Sequence, residues 1–188
     1  MLKGRQCRIR PATPEDTDTL ADWWSDGAVM EHAGFPDGLT VDRHKMRTGL
    51  QRQEEAPDAP SRLYILENSN KEPIGEMNHE IDKDVAEIGI KICEPASQNK
   101  GIGKDALKTF IVYLFDERAV ETIKLDTMVE NTRAQRVYEA LGFEKTRVNK
   151  DVWTDQKGRK RTSVDYELTK TKYLRHKDFY KSQGDASS

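Results

Sequence analysis

Apolar and polar positions alternate along the chain in two rhythms. The stretches "RLYILEN" (62–68), "IGEMNHEID" (74–82) and "VAEIGIKIC" (85–93) read as short strands, the last with Ile88, Ile90 and Ile92 alternating against Glu87, Gly89 and Lys91. The turn "SNKEP" separates the first two, so antiparallel hairpins are expected. A helical period follows over 101–116, with Ala106, Leu107, Phe110, Ile111, Leu114 and Phe115 on the inner face. Another helix, "NTRAQRVYEALG" (131–142), closes on Gly142, a natural left-handed residue after a helix end.

Between and around these lie weaker signals. "RQCRIRPAT" (5–13) predicts a first strand. The next helix has Thr13 as N-cap, Pro14 at its first position, Glu15 and Asp16 at the positive end of the dipole, and Leu20, Trp23 and Trp24 as its stripe. A loop holds Gly34, Pro36 and Gly38. A second helix is expected over 41–55, capped by Thr40 and ended by "APDAP". "TIKLDTMV" (122–129) reads as a strand, as do 143–153 and 162–169, joined around Gly158. Residues 170–181 suit a short helix. The order β-α-α-β-β-β-α-β-α-β-β fits neither a regular βαβ repeat nor an antiparallel sandwich. It predicts an α/β domain (α+β mixed), with a mixed, mostly antiparallel sheet of about seven strands and four flanking helices. One domain is expected over 1–170, with 171–188 a C-terminal extension ending in a polar, disordered tail.

The 188 residues suffice for one sizeable core. Net charge is −2, so no general attraction to nucleic acid is expected. The charge is uneven: residues 15–94 carry 19 acidic and 8 basic side chains, and residues 145–181 carry 5 acidic and 12 basic. Most of this is solvated surface; the sharper reading is an acidic substrate side beside a basic flank. Cys7 and Cys93 have neither disulfide-framework nor metal spacing. No apolar run approaches the ~20 residues of a membrane span, and "MLKGRQCRIRP" lacks the apolar segment of a secretory leader, so a cytoplasmic setting is the default expectation.

The chemistry-bearing stretch is "QNKGIGKDALKTF" (98–110), where glycines open a helix after a strand. The first amides of a helix lack carbonyl partners and sit at the positive end of its dipole, which favours a phosphate. Gly101 and Gly103 remove side chains from that approach and Lys104 adds charge. On its own this is an ordinary glycine-rich helix start. The third glycine of a dinucleotide fingerprint and the Lys-Ser/Thr of a Walker loop are both missing. Gln98-Asn99-Lys100-Gly101-Ile102-Gly103 instead resembles the Gln/Arg-x-x-Gly-x-Gly/Ala pyrophosphate motif of the GNAT N-acetyltransferase superfamily. A second match lies in "LDTMVENTRAQRVYEALGFEKT", with Asn131, Ala134, Tyr138, Gly142 and Phe143 at the family's positions. The resemblance covers roughly residues 5–170, most clearly 85–145.

That resemblance implies acetyl-CoA as cosubstrate and a sheet splayed in its middle, where the strand from Thr122 runs parallel to the strand before the glycine motif. It implies that Ile90 and Ile92 flank the pantetheine arm, that Gln98, Asn99, Lys100, Gly101, Ile102, Gly103 and Lys104 cradle the pyrophosphate, and that Asn131 and Ala134 meet the arm from the other side. It implies no metal. Attack by an amine requires its neutral form, which at a pKa of ~10.4 is scarce near neutrality, so a base is needed. Glu87 is the leading candidate, with His79, Glu76 and Glu80 on the preceding strand as alternatives; each also has a purely structural reading. Tyr138, seven residues after Asn131 on one helix, is the candidate acid for the leaving thiolate. One of Trp23 and Trp24 is expected in the core and the other against the acceptor. The same stretch resembles both ribosomal-protein N-terminal acetyltransferases and small-amine (aminoglycoside, polyamine) acetyltransferases. The expected partner is accordingly a small cationic amine or a protein N-terminus, with a homodimer left open. The alternative is a catalytically inactive acyl-CoA-binding sensor.

Overall fold

The computed structural model describes residues 1–182. Eight strands form one sheet: β1 (Leu2–Lys3), β2 (Arg8–Pro11), β3 (Ser61–Glu67), β4 (Pro73–Asp82), β5 (Val85–Ile92), β6 (Thr122–Met128), β7 (Glu144–Thr154) and β8 (Lys160–Thr169). Their order is β1-β2-β3-β4-β5-β6-β8-β7. All neighbours are antiparallel except β5 and β6. The strand beyond the expected seven is β1, whose two residues are too few to show a period.

Seven helices accompany the sheet: α1 (Thr17–Ser25), α2 (Gly27–Met30), α3 (Arg43–Glu55), α4 (Ile102–Asp116), α5 (Thr132–Ala140), α6 (Lys170–Arg175) and α7 (Lys177–Lys181). Thr13 and Pro14 open a 3-10 turn, Pro14–Asp16, rather than α1 itself, which starts at Thr17 with Asp16 as its N-cap; the Asp16 carboxylate accepts from the Thr13 amide and is gripped through two nitrogens by Arg10. Burial would raise the Asp16 carboxyl, but Arg10 and the Thr13 amide hold it below its usual value. The second helix begins later than expected. Asp42, not Thr40, is its cap, and its carboxylate accepts from the Lys45 amide at 3.0 Å. The expected loop after α1 contains α2 and a further 3-10 turn, Glu31–Ala33.

The two sheet faces are covered unequally. On one, α4, α5, α6 and α7 enclose the main core, in which Phe110, Ile111, Leu114, Ile123, Tyr166 and Leu168 are fully buried. Tyr173 of α6 stacks on Phe115 at 4.7 Å between ring centres, and Tyr180 of α7 is also buried. The expected disordered tail falls on residues 183–188, outside the described residues. On the opposite face a smaller cluster of Leu20, Trp23, Leu50, Ile65 and Cys93 seats α1 and α3. Beyond β4 that face is open, and the site lies there. No helix among the described residues is long and apolar enough to cross a membrane.

Candidate active site

The splay has a sharp starting point. β5 and β6 pair only at Val85–Thr122, Ala86–Ile123 and Glu87–Lys124; from there to Ile92 and Met128 they run without pairing. A cavity of about 470 Å³ opens in the gap, lined by Asn78, Ile88, Gly89 and Ile90 on one side and by Leu125, Asp126, Met128, Asn131 and Tyr138 on the other. Its roof is built from distant segments. His32, Ala33 and Phe35 come from the loop after α2, and Trp153 from the end of β7. Gln156 ties the two, accepting from the Asp37 amide at 2.9 Å and donating to the Gly38 carbonyl at 2.8 Å. At Gly34, with φ +94°, any β-carbon would fall 1.6 Å from the Trp153 ring, so glycine there permits the packing.

The turn from β5 into α4 carries the glycine stretch 98–104. Asn99 (φ 62°) and Gly101 (φ 80°) are both left-handed, and Gly101 caps α4. Among the described residues, no backbone N–H from Asn99 to Lys104 has a protein acceptor; the first amide to find one is Asp105, on the Gly101 carbonyl. A β-carbon at Gly103 would meet only Ile92 and Ile90, at 3.8 and 4.0 Å, so the space above it is open. Lys104 is exposed, whereas Ile102 points into the core. The Gln98 side chain donates to the Ile92 carbonyl at 3.0 Å, which fixes the end of β5 rather than leaving that amide free.

Asn131 caps α5 through Oδ1, which accepts from the Ala134 amide at 3.1 Å, and it also lines the cavity. Ala134 packs on the main core. Two turns along the same helix, Tyr138 is 7% exposed, with its ring edge-on to Tyr166 at 5.6 Å. Its hydroxyl has no partner among the described residues, and the side chain borders the cavity. Burial raises its pKa, and the Asp126 and Tyr166 side chains raise it further.

The other expected residues separate. Glu87 is exposed and lines a second cavity, of about 680 Å³, below the first; it does not line the one that Tyr138 borders. Glu80 shares that second cavity. Glu76 borders the first, but Lys91 pairs with it at 2.9 Å and the Trp24 indole donates to it at 2.8 Å. Trp23 is the core tryptophan, and Trp24 reaches the site only through Glu76. His79 lies on the far face, fully buried, with Tyr64 and Arg118 beside its ring nitrogens. Burial, then Arg118 and Arg62, push it down to about 4. As a base candidate it is corrected by position: strand alternation turns residue 79 into the core, away from both cavities.

Asp126, which the sequence reading passed over, lines both cavities. Solvent reaches it from within the groove, but the groove walls remove part of its hydration. That burial raises its carboxyl, and Asp165 and Glu87 add to the effect. Its one sequence signal was alternation: in "TIKLDTM" it shares a face with Lys124, opposite Ile123 and Leu125. Among the described residues, no group of His, Cys, Asp and Glu is arranged to hold a metal ion.

Comparison with known proteins agrees with this geometry. Residues 6–144 match the family described as acetyltransferase (GNAT) domain. Spermidine N-acetyltransferase from Vibrio cholerae, solved with CoA and spermine, superposes with a TM-score of 0.78 at 22% identity, over 90% of this chain and 98% of that one. A GNAT-family acetyltransferase from Bacillus anthracis gives 0.72 at 20% identity, over 89% and 97%. A glycine cradle, a splayed parallel pair and a family match over most of the chain converge: this protein belongs to the GNAT family and is an acetyl-CoA-dependent N-acetyltransferase.

Proposed function

We propose that the chain acetylates a primary amine of a small cationic molecule, with Tyr138 as the donor to the leaving sulfur and Asp126 as the acceptor of the amine's proton. The observation that carries this is one shared cavity, at the point where β5 and β6 part, bordered by the unpartnered Tyr138 hydroxyl and the Asp126 carboxylate. The amides of residues 99–104 hold the pyrophosphate of the cosubstrate. Ile90 and Ile92 on one wall and Asn131 on the other direct its arm into the gap.

Asp126 takes a proton from the incoming ammonium, and the neutral nitrogen attacks the acetyl carbon. As the carbon–nitrogen bond forms and the carbon–sulfur bond breaks, Tyr138 donates to the sulfur. The second proton lost by the nitrogen restores the Tyr138 hydroxyl through solvent, and Asp126 releases its proton to water, so one proton is set free per turnover. The two side chains are linked: charged Asp126 raises Tyr138. Once Asp126 is protonated that repulsion is gone, so acceptance of the amine's proton makes Tyr138 a stronger acid. Glu87, one row below, supports the ionisation balance of Asp126 rather than reaching the acetyl group.

A cationic acceptor is favoured by the carboxylate lining and by the Phe35 and Trp153 rings above it. The structurally similar Vibrio protein, solved with spermine, supports a small amine as well. Release of free thiol from acetyl-CoA, measured with polyamines, aminoglycosides and peptides with free N-termini, tests the reading. Turnover on small cationic amines is expected. Turnover on peptides alone would move the acceptor to protein N-termini. CoA binding without turnover on any amine would leave an acyl-CoA-binding module.

A further inference from the structure

Asn78 of β4 lies where the two cavities meet and lines both, as Asp126 does. Its side chain is exposed, and its carboxamide has no hydrogen-bond partner among the described residues. Directly opposite it on β5 stands Gly89. A β-carbon at Gly89 would fall 2.4 Å from Asn78 Oδ1 and 3.5 Å from Asn78 Cγ, so the carboxamide lies over β5. Neighbouring strands are ~4.8 Å apart, so this side chain leans across a strand spacing toward the gap. It can do so because residue 89 has no side chain. Nothing else near Gly89 explains a glycine: its φ is not positive, and Asn78 supplies each of the three atoms nearest to its missing β-carbon. The glycine therefore seats the carboxamide.

The seat faces the point where β5 and β6 part. Gly89 and Asp126 each lie two residues past Glu87–Lys124, the last pair of these strands, so they stand level on either side of the opening gap. Asn78, Gly89 and Asp126 thus form one row on the open face: a neutral carboxamide on one side of the gap and a carboxylate on the other. The next row along β4 is already satisfied, since Glu76 is paired with Lys91 and takes the Trp24 indole. We propose that Asn78 holds the attacking nitrogen, its Oδ1 accepting one N–H of the acceptor amine while Asp126 takes the proton. This rests on the proposed function and adds the residue that positions its nucleophile. A carboxamide oxygen binds the ammonium and the neutral amine alike, because each still has an N–H to donate. The nitrogen is therefore kept beside the acetyl carbon after Asp126 has deprotonated it, instead of being released.

The test is a double-mutant cycle in the thiol-release assay, run with n-butylamine and with spermine, which share only a primary amine on an alkyl chain. Asn78→Ala deletes the carboxamide. Gly89→Ala keeps it but places a methyl group where it lies, and the far end of an exposed side chain moves aside without cost to the fold. Each variant is expected to lower kcat/KM by ~10-fold, the worth of one ordinary hydrogen bond, and equally for both amines, with CoA affinity by calorimetry unchanged. The acidic limb of the pH–rate profile should survive in both, since Asp126 is untouched. Combined, the two substitutions should cost no more than either alone, because they remove the same contact. Wild-type kcat/KM in Asn78→Ala, a loss confined to spermine, or a double variant whose loss is the product of the single losses would each overturn the assignment and leave the acetyltransferase reading standing. No turnover on any amine by CoA-binding wild type would remove both together.

Discussion

The glycine cradle and the acceptor groove adjoin along β5, yet they are built in opposite ways. The cradle proposed for the pyrophosphate is local: seven consecutive residues, 98–104, two of them left-handed, with backbone amides as the proposed donors. The groove is assembled from β4, β5, β6, β7, β8 and the loop after α2, and side chains do its work. Backbone donors recognise a phosphate wherever the chain turns correctly, so substitutions of most side chains in the cradle should be tolerated. In the groove each carboxylate has a separate position, and loss of one should change chemistry or selectivity without loosening the cosubstrate.

The largest effect is expected at Asp126. Asp126→Asn removes the proton acceptor and should lower turnover by ~10²–10⁴-fold at neutral pH, with CoA affinity kept. The wild-type rate should fall as pH drops through the raised titration of Asp126, since only the ionised form accepts a proton; the variant should lose this limb. A pH–rate profile of both proteins checks it. In the cradle, Gly103→Glu places bulk and negative charge beside the pyrophosphate and should weaken CoA binding by ~10²-fold, about 2.7 kcal/mol. Gly103→Ala, which meets only ordinary contacts, should be nearly silent by calorimetry. Gly34→Ala must displace Trp153 and should raise KM for the amine by ~10-fold while sparing CoA affinity, as steady-state kinetics would show. The smallest effect is on stability. An Asp held above its unfolded value opposes folding when ionised, so Asp126→Asn should raise Tm slightly at pH 8, the effect being damped by the solvent that reaches this exposed side chain. The gain should vanish below pH ~3.9, where both states are protonated. Thermal melts across pH read this out.

The same contrast explains what the sequence disclosed. The left-handed turn and open helix start at 98–104 were legible because their residues are contiguous and their physics is that of one helix start. Asn131 and Tyr138 were legible for a similar reason, lying on one helix seven residues apart. The sheet was legible through its alternation, except for the two-residue β1, and α3 was misplaced by two residues because Asp42 outcompeted Thr40 as a cap. Asp126 carried no such signal because its position arises from register: only the pairing of β6 with β8 sets it opposite Asp165, and only the parting of β5 from β6 places it in one cavity with Tyr138. His79 was overvalued for the same reason, since residue type gave no sign of which face it would occupy. The Phe35–Trp153 roof joins residues more than a hundred positions apart and carried no sequence signal at all.

Tyr138→Phe tests the central claim most directly. The ring and its contacts with Tyr166 and Phe143 remain, and the hydroxyl has no partner among the described residues to lose. Calorimetric titration with CoA and the thiol-release assay, on the same preparation, should show affinity unchanged and turnover reduced by ~10²-fold or more. Full turnover in the variant would contradict the account, placing protonation of the thiolate with solvent and the catalytic centre away from the cavity between β5 and β6.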